Sequence, residues 1–133
     1  MSAHDLEGMA RVAIDLGLRL HERLGPGLLE SAYEALLAAG LERAGLPIER
    51  QKALDLCFDG VRVPDAYRLD LLVGGQLIIE IKSVERLLPV HAKQLLTYLR
   101  VSDMRLGLLM NFGGATFREG LKRVVNGHAE AAY

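Results

Sequence analysis

An α/β sandwich, in which a mixed central sheet lies between layers of helices, is the fold class that the sequence predicts. Two observations support this prediction. Apolar residues recur at helical spacing near the start of the chain and again after residue 89. Between these two segments, and again after the second one, the apolar residues alternate with polar residues or form uninterrupted runs, as in strands. The expected order is ααβββαβ followed by a final short element. The 133 residues are enough for a single domain, which we expect to span 1–133.

Two helices are predicted before the first strand. In residues 5–23 the apolar side chains recur every three or four positions with charged residues between them, as on an amphipathic helix. The Gly-Pro-Gly sequence at 25–27 ends that helix and redirects the chain. A second helix is expected over 28–44, because Gly45 follows it directly.

Three strands are predicted in the middle of the chain, where the apolar residues change to a period of two. The first covers 48–58 and is followed by Asp59-Gly60, a dipeptide typical of tight turns. The second covers 61–73 and the third covers 76–84, and Gly74-Gly75 joins them.

The rest of the chain adds a helix, a strand and a last short element. Pro89 is expected to open a helix over 90–101, since proline is tolerated in a first turn. The continuous apolar run at 104–112 indicates a strand that is covered on both faces. Residues 115–125 fit either a final strand or a short helix.

Composition and charge exclude several classes of protein. Sixteen basic and seventeen acidic residues give a formal net charge of -1, so any surface for nucleic acid must be a local patch. The single cysteine, Cys57, excludes an intramolecular disulfide framework and is expected to be a small core residue. No apolar run reaches the roughly 18 residues that a membrane span needs, and the first residues lack the layout of a signal peptide. We therefore expect a cytoplasmic protein without a membrane partner.

The hairpin of the second and third strands can be registered from its apolar residues. A two-residue turn would place Val73 opposite Gln76 and would send the apolar rows of the two strands to opposite faces. A three-residue loop with a glycine bulge places Val73 opposite Leu77 instead and aligns the two rows. The same register pairs 71 with 79 and 69 with 81.

This register also predicts an acidic pair. Asp70 lies directly across from Glu80, with Lys82 one step along the same face beside Arg68. Two facing carboxylates about 5 Å apart repel by roughly 3 kcal/mol at an effective dielectric constant of about 20. A shared proton or a divalent cation offsets such repulsion, and the cation explains the arrangement better. If that face is exposed to solvent, the two acids instead form ordinary salt bridges with Arg68 and Lys82.

Three motifs resemble those of known nucleases. Asp70 followed by Glu80-Ile81-Lys82 resembles the core signature of the PD-(D/E)xK nuclease superfamily. The segment 27–33, Gly-Leu-Leu-Glu-Ser-Ala-Tyr, resembles the G-x-x-E-x-x-Y signature of the GxxExxY family. The segment 94–98, Gln-Leu-Leu-Thr-Tyr, resembles the Q-x-x-x-Y motif of RecB-like exonucleases. Together with Met-Asn-Phe-Gly at 110–113, the resemblance covers roughly residues 5–126.

The resemblance implies a restriction-endonuclease-like three-layer sandwich that hydrolyses nucleic-acid phosphodiester bonds, with DNA favoured over RNA as the partner. Asp70, Glu80 and the main-chain carbonyl of Ile81 would hold Mg²⁺ or Mn²⁺, hard ions that prefer oxygen ligands. Glu30 would be a further catalytic ligand, directly or through water. Lys82 would position or deprotonate the attacking water, or stabilise the developing negative charge.

The helical motifs imply contacts with the substrate. Gln94 and Tyr98 lie four residues apart and so share a helical face, from which they would reach the nucleic-acid backbone or brace Lys82. Tyr33 is assigned to substrate binding with them. These assignments have alternative explanations without a function. A tyrosine on an amphipathic helix often only packs against the core. An acid such as Glu30 near a helix N-terminus is favoured by the helix dipole alone.

A second acid competes for the aspartate position of the nuclease signature. Asp65 follows Pro64 and matches the literal Pro-Asp of the signature. The register places Asp65 across from Glu85 and on the apolar face, so Asp70 is the better candidate.

Two other functions remain open from the sequence. The near-neutral charge favours a catalytically weak nucleic-acid-binding or regulatory module on the nuclease scaffold, whereas the complete set of Asp70, Glu80 and Lys82 favours an enzyme. Besides the nuclease and the binding module, the chain could be a structural protein that forms a homodimer through an uncovered sheet edge. A homodimer or larger complex is also compatible with the nuclease and with the binding module.

Overall fold

Four helices and five strands form within residues 4–127, the part of the chain that the computed structural model describes. In chain order they are α1 (Leu6–Leu24), α2 (Glu30–Arg43), β1 (Ile48–Phe58), β2 (Val61–Val73), β3 (Leu77–Lys82), α3 (Pro89–Ser102), β4 (Leu106–Asn111), α4 (Phe117–Gly120) and β5 (Leu121–Val125). The predicted order is confirmed, and the final segment, which fitted either a helix or a strand, contains both.

Local signals set the ends of the first two helices. The carboxylate of Asp5 accepts a hydrogen bond from the main-chain N–H of Gly8 at 2.7 Å and so caps the start of α1. Helix α1 ends at Gly25, whose φ of 70° lies in the left-handed region that favours glycine. Leu29 is still extended, with φ -67° and ψ 152°, so α2 begins two residues later than predicted.

The five strands form one mixed sheet in the order β1-β2-β3-β4-β5. Strands β3 and β4 are parallel, and the other neighbours are antiparallel. Helix α3 supplies the crossover that a parallel pair requires.

Helices cover both faces of this sheet. Helices α1 and α2 pack on one face, where Ile79 belongs to their apolar cluster. Helix α3 packs on the other face through Leu95 and Leu99, and the cluster there includes Ile78. Because neighbouring residues of β3 serve opposite clusters, this strand is buried on both faces, and the predicted three-layer sandwich is confirmed. Within residues 4–127, no helix is both long and apolar enough to cross a bilayer.

The β2–β3 hairpin has the predicted register at its closed end. Val73 lies opposite Leu77 and Leu71 lies opposite Ile79. The two glycines at 74–75 have positive φ angles of 57° and 68°, which the tight connection requires.

The predicted alignment is wrong at Leu69. Leu71 packs in the cluster beneath α1 and α2, whereas Leu69 packs in the cluster beneath α3. Residues two apart share a face in a regular strand, so β2 turns over between them, at Asp70. On the neighbouring strand at the same level, Gln51 has φ 50°, outside the extended region. The ladder between β2 and β3 ends at the pair of Leu71 and Ile79, so 69 does not pair with 81.

Beyond Asp70, strands β1 and β2 continue as a two-stranded ribbon whose tip is the pair of Phe58 and Val61. These two side chains are 77% and 62% exposed. Cys57 was predicted to be a core residue, and this is wrong: it is exposed on the outer part of the ribbon, where residues 55–63 belong to neither apolar cluster.

The competing acid, Asp65, also lies on the ribbon. Its main-chain N–H donates to Oδ1 of Asp55 at 2.9 Å, and Arg62 forms an ion pair with the same carboxylate. Since the β2–β3 ladder stops at Leu71, the predicted position of Asp65 across from Glu85 is wrong. Asp65 therefore belongs to a surface cluster on the ribbon.

Candidate functional site

Side chains replace the main-chain ladder where β2 and β3 separate. The main-chain N–H of Asp70 donates to Oε2 of Glu80 at 2.8 Å. The main-chain N–H of Ile81 donates to Oδ2 of Asp70, also at 2.8 Å. The register therefore brings the two predicted acids together, but each carboxylate binds the main chain of the opposite strand.

The main-chain carbonyl of Ile81 faces the same opening. Its N–H points toward Asp70, and in an extended strand the N–H and the C=O of one residue point to the same edge. On the other edge of β3, the carbonyl of Lys82 accepts a hydrogen bond from Phe112 at 2.8 Å. The opening between β2 and β3 thus offers two carboxylates and one main-chain oxygen.

Helix α2 adds a third carboxylate, that of Glu34, which the sequence analysis did not single out. Glu34 is only 6% exposed, and its Oε2 accepts a hydrogen bond from Nε of Arg50 at 3.1 Å. Its Oε1 accepts from Nε2 of Gln51 at 2.6 Å. The same nitrogen of Gln51 lies 3.2 Å from Oδ1 of Asp70, so a single amide bridges the helix acid and the strand acid.

The carboxyl group of Glu80 has a strongly raised pKa. Burial and the charge of Asp70 raise its pKa from 4.5 to about 8, and Glu34 adds to the rise. The Asp70 N–H and the Lys82 ammonium act in the opposite direction. Glu80 is 7% exposed, so solvent screens these charges poorly. The site therefore favours a proton or a cation close to Glu80.

Glu30 lies at the edge of this network. It is exposed at the first position of α2, and its Oε2 accepts a long hydrogen bond of 3.4 Å from the main-chain N–H of Ser83, next to Lys82. Glu34 is one helical turn further along and is buried among the acids. Of the two helix acids, Glu34 is therefore the one that shares a hydrogen-bond donor, the Gln51 amide, with Asp70.

Tyr33 does not lie on a substrate surface. Its ring is fully buried and stacks on Phe112 with centroids 4.4 Å apart. Its hydroxyl donates to the carbonyl of Gly25 and accepts from the N–H of Leu28 at 3.3 Å. The predicted substrate contact is wrong because the side chain is enclosed and holds the α1–α2 loop in place.

The two α3 residues differ in their surroundings. Tyr98 is half-buried against Tyr67, with ring centroids 5.1 Å apart. Burial raises the pKa of Tyr98, and the charges of Glu80 and Asp70 raise it further. Gln94 is exposed one turn earlier on the same helix.

Asn111 fixes the segment that follows Lys82. Its side-chain amide donates to the carbonyl of Val84 at 2.9 Å, and its Oδ1 accepts from the N–H of Val84 at 2.9 Å and from that of Gly113 at 3.1 Å. Asn111 is 2% exposed, so these bonds are shielded from water. The Met-Asn-Phe-Gly segment thus holds the end of β3 in place.

The donor atoms fit a hard divalent cation by their chemistry, because three carboxylates and a main-chain carbonyl are the oxygen ligands such ions prefer. As they stand, however, no three His, Cys, Asp or Glu residues within 4–127 form a group that could hold a metal ion. The acids are instead bound by hydrogen-bond donors, and the Gln51 amide contacts both Glu34 and Asp70.

One sequence signal could have identified Glu34. Glu34 precedes the buried residues Leu37, Ala38 and Leu41 of the same helix by three, four and seven positions, so this acid lies on the apolar face of α2. An acid in such a position is buried at a cost unless it has partners. Gln51 carries no comparable signal.

Comparison with known proteins assigns the family. The family model described as PD-(D/E)XK nuclease superfamily matches residues 7–124. Searches among curated proteins and among solved structures gave no match. The match covers nearly all of the chain, and the five-stranded mixed sheet with flanking helices agrees with the restriction-endonuclease-like fold. The chain therefore belongs to the PD-(D/E)XK nuclease superfamily.

Proposed function

We propose that this protein is a divalent-metal-dependent nuclease that hydrolyses phosphodiester bonds, with DNA preferred over RNA, and that it belongs to the GxxExxY group of its superfamily. The observation that carries the proposal is the pair of Asp70 and Glu80 at the opening between β2 and β3, with Lys82 acting on Glu80 electrostatically.

The residues that would hold Mg²⁺ or Mn²⁺ are Asp70, Glu80, the carbonyl of Ile81 and Glu34, with Glu30 at the edge of the site. When bound, such an ion supplies polarisation of the phosphate and a lowered pKa for a bound water. Burial of Glu80 supports this assignment, because an enclosed carboxylate beside a second acid is stabilised by a cation.

The other residues orient the reactants. Lys82 is half-buried next to Glu80, where its ammonium group can position the attacking water or stabilise the negative charge on the phosphate. The charges of the same acids act on Tyr98, which is half-buried, and Gln94 is exposed one turn earlier, so both are candidates for contacts with the nucleic-acid backbone. The reaction would be a direct displacement by water without a covalent intermediate.

The proposal is tested by incubating the protein with plasmid DNA, single-stranded DNA and RNA in Mg²⁺ or Mn²⁺. We expect cleavage by the native protein and at least a hundredfold loss in Asp70→Asn and in Lys82→Ala, on the usual scale for a missing catalytic group (roughly 10²–10⁴). Asp65→Asn is the matched control, since Asp65 is an exposed acid on the same strand. Full cleavage by both site variants would overturn the proposal.

A catalytically weak nucleic-acid-binding module is the second candidate. The observation in its favour is that the Gln51 amide and two main-chain N–H groups donate hydrogen bonds to the acids. Binding of DNA that does not require Mn²⁺, with no cleavage of any substrate, would favour this candidate over the nuclease.

A further inference from the structure

The position of Gln51 is unusual in two respects. Its φ of 50° departs from the extended conformation in the middle of β1, which is uncommon for a residue with a side chain. Its Nε2 lies 2.6 Å from Oε1 of Glu34 and 3.2 Å from Oδ1 of Asp70. One nitrogen atom therefore sits between two carboxylates that come from a helix and a strand.

Each of these carboxylates has a second, independent anchor. The other oxygen of Glu34 is held by Arg50 at 3.1 Å, and the other oxygen of Asp70 is held by the N–H of Ile81 at 2.8 Å. Removing the Gln51 amide would therefore leave both acids oriented, with one oxygen of each directed at the position that the amide had occupied.

We infer that the Gln51 amide occupies the position of a divalent cation shared by Glu34 and Asp70, so that the amide and the ion compete for it. The inference rests on the proposed function. An ion held by both acids would use Oε1 of Glu34 and Oδ1 of Asp70, the same two oxygens that Nε2 now contacts. The amide and the ion would therefore use the same two oxygens, so the amide must move away when the ion binds.

Competition has a definite thermodynamic sign. The Gln51 amide stabilises only the metal-free state, so its removal raises the free energy of that state and leaves the metal-bound state largely unchanged. The variant protein should bind the ion more tightly and should be less stable without it. A residue that merely supported the site would have the opposite effect on affinity.

The test is calorimetric titration of EDTA-treated protein with Mn²⁺. We expect Gln51→Ala to bind Mn²⁺ about tenfold more tightly than the native protein, which corresponds to about 1.4 kcal/mol, the scale of one hydrogen bond to a charged group. The metal-free variant should also unfold at a lower temperature and show a larger rise in that temperature on addition of Mn²⁺. Gln76→Ala is the matched control, because Gln76 is exposed in the β2–β3 turn, where its main-chain N–H bonds to Val73.

A second variant guards against misfolding. Gln51→Met keeps the length of the side chain but has no N–H donor, so it should reproduce the tighter binding. Unchanged or weaker binding in the folded variants would overturn the inference. If the native protein binds Mn²⁺ through Asp70 and the Gln51 variants do not bind it more tightly, only this inference fails. If no variant binds Mn²⁺, the proposed function fails with it.

Discussion

Asp70 and Glu80 are joined by a 2.8 Å hydrogen bond from the main-chain N–H of the first to the carboxylate of the second. The Asp70 carboxylate in turn accepts from the N–H that follows Glu80 in the chain. This exchange replaces the main-chain pairing that a regular hairpin would have here, and it places two carboxylates in a largely buried opening.

The first prediction concerns pH and Glu80. Its pKa is raised from 4.5 to about 8, so between these values the folded protein holds a proton that the unfolded chain has released. Stability of the metal-free protein should therefore fall as the pH rises from about 5 to about 8. Urea denaturation in EDTA measures this, with Glu85→Gln at an exposed site as control.

In Glu80→Gln the pH dependence over this interval should largely disappear, because the titrating group is gone. A native stability that rises between about pH 6 and about pH 8, or a decline that persists unchanged in Glu80→Gln, would contradict the prediction.

The second prediction separates the two helix acids. Glu34→Gln removes a buried charge that is linked through Gln51 to Asp70, so Mn²⁺ affinity should drop by more than about tenfold, on the scale of one lost charged interaction. Glu30→Gln changes an exposed residue with a single 3.4 Å contact and should lower the affinity by less than about threefold. Calorimetric titration of both variants decides the matter, and a larger loss in Glu30→Gln would assign the ligand role to Glu30 instead.

The third prediction is that Tyr33 stabilises the fold. Tyr33→Phe removes the hydroxyl that bridges Gly25 and Leu28 and should cost about 1–3 kcal/mol in the free energy of unfolding, with Mn²⁺ affinity retained. Tyr98→Phe keeps its ring on Tyr67 and should change stability by less than about 0.5 kcal/mol. Equal stability of the native protein and Tyr33→Phe in urea would refute this role.

The fourth prediction concerns neighbouring glycines after β4. A Cβ at Gly113 would lie 2.3 Å from the carbonyl oxygen of Val84, whereas at Gly114 the nearest atoms are 3.8 Å away. Gly113→Ala should therefore lower stability by about 3 kcal/mol, because two main-chain segments must move apart. Gly114→Ala should be nearly neutral. Thermal unfolding of the two variants tests this prediction. Equal melting temperatures would show that the segment after Lys82 can move to accommodate the added methyl group.

The register of the central hairpin could be predicted because its apolar residues align in only one way. Val73 and Leu77 end up opposite each other as expected. Leu69 lies on the opposite face from the one predicted, because β2 is not regular at Asp70, and no glycine or proline marks this irregularity in the sequence. The turnover occurs where side-chain carboxylates replace the ladder, and these bonds join residues ten or eleven positions apart.

The candidate site was predicted only in part for a similar reason. Asp70, Glu80 and Lys82 follow from strand alternation, which is local. The link between Glu34 and Gln51 spans 17 residues and two different elements, so strand periodicity could not reveal it. The motif directed attention to Glu30, whereas Glu34 is the buried acid that shares the Gln51 amide with Asp70.

The ribbon of β1 and β2 beyond Asp70 has a practical consequence. The Asp59-Gly60 turn is exposed and forms the tip of the ribbon, whereas Asp70 lies where the ribbon begins. Loop tips of this kind accept insertions with little effect on the rest of a domain. A fluorophore or affinity tag inserted at that turn would report on nucleic-acid binding from outside the acidic opening while leaving its chemistry intact.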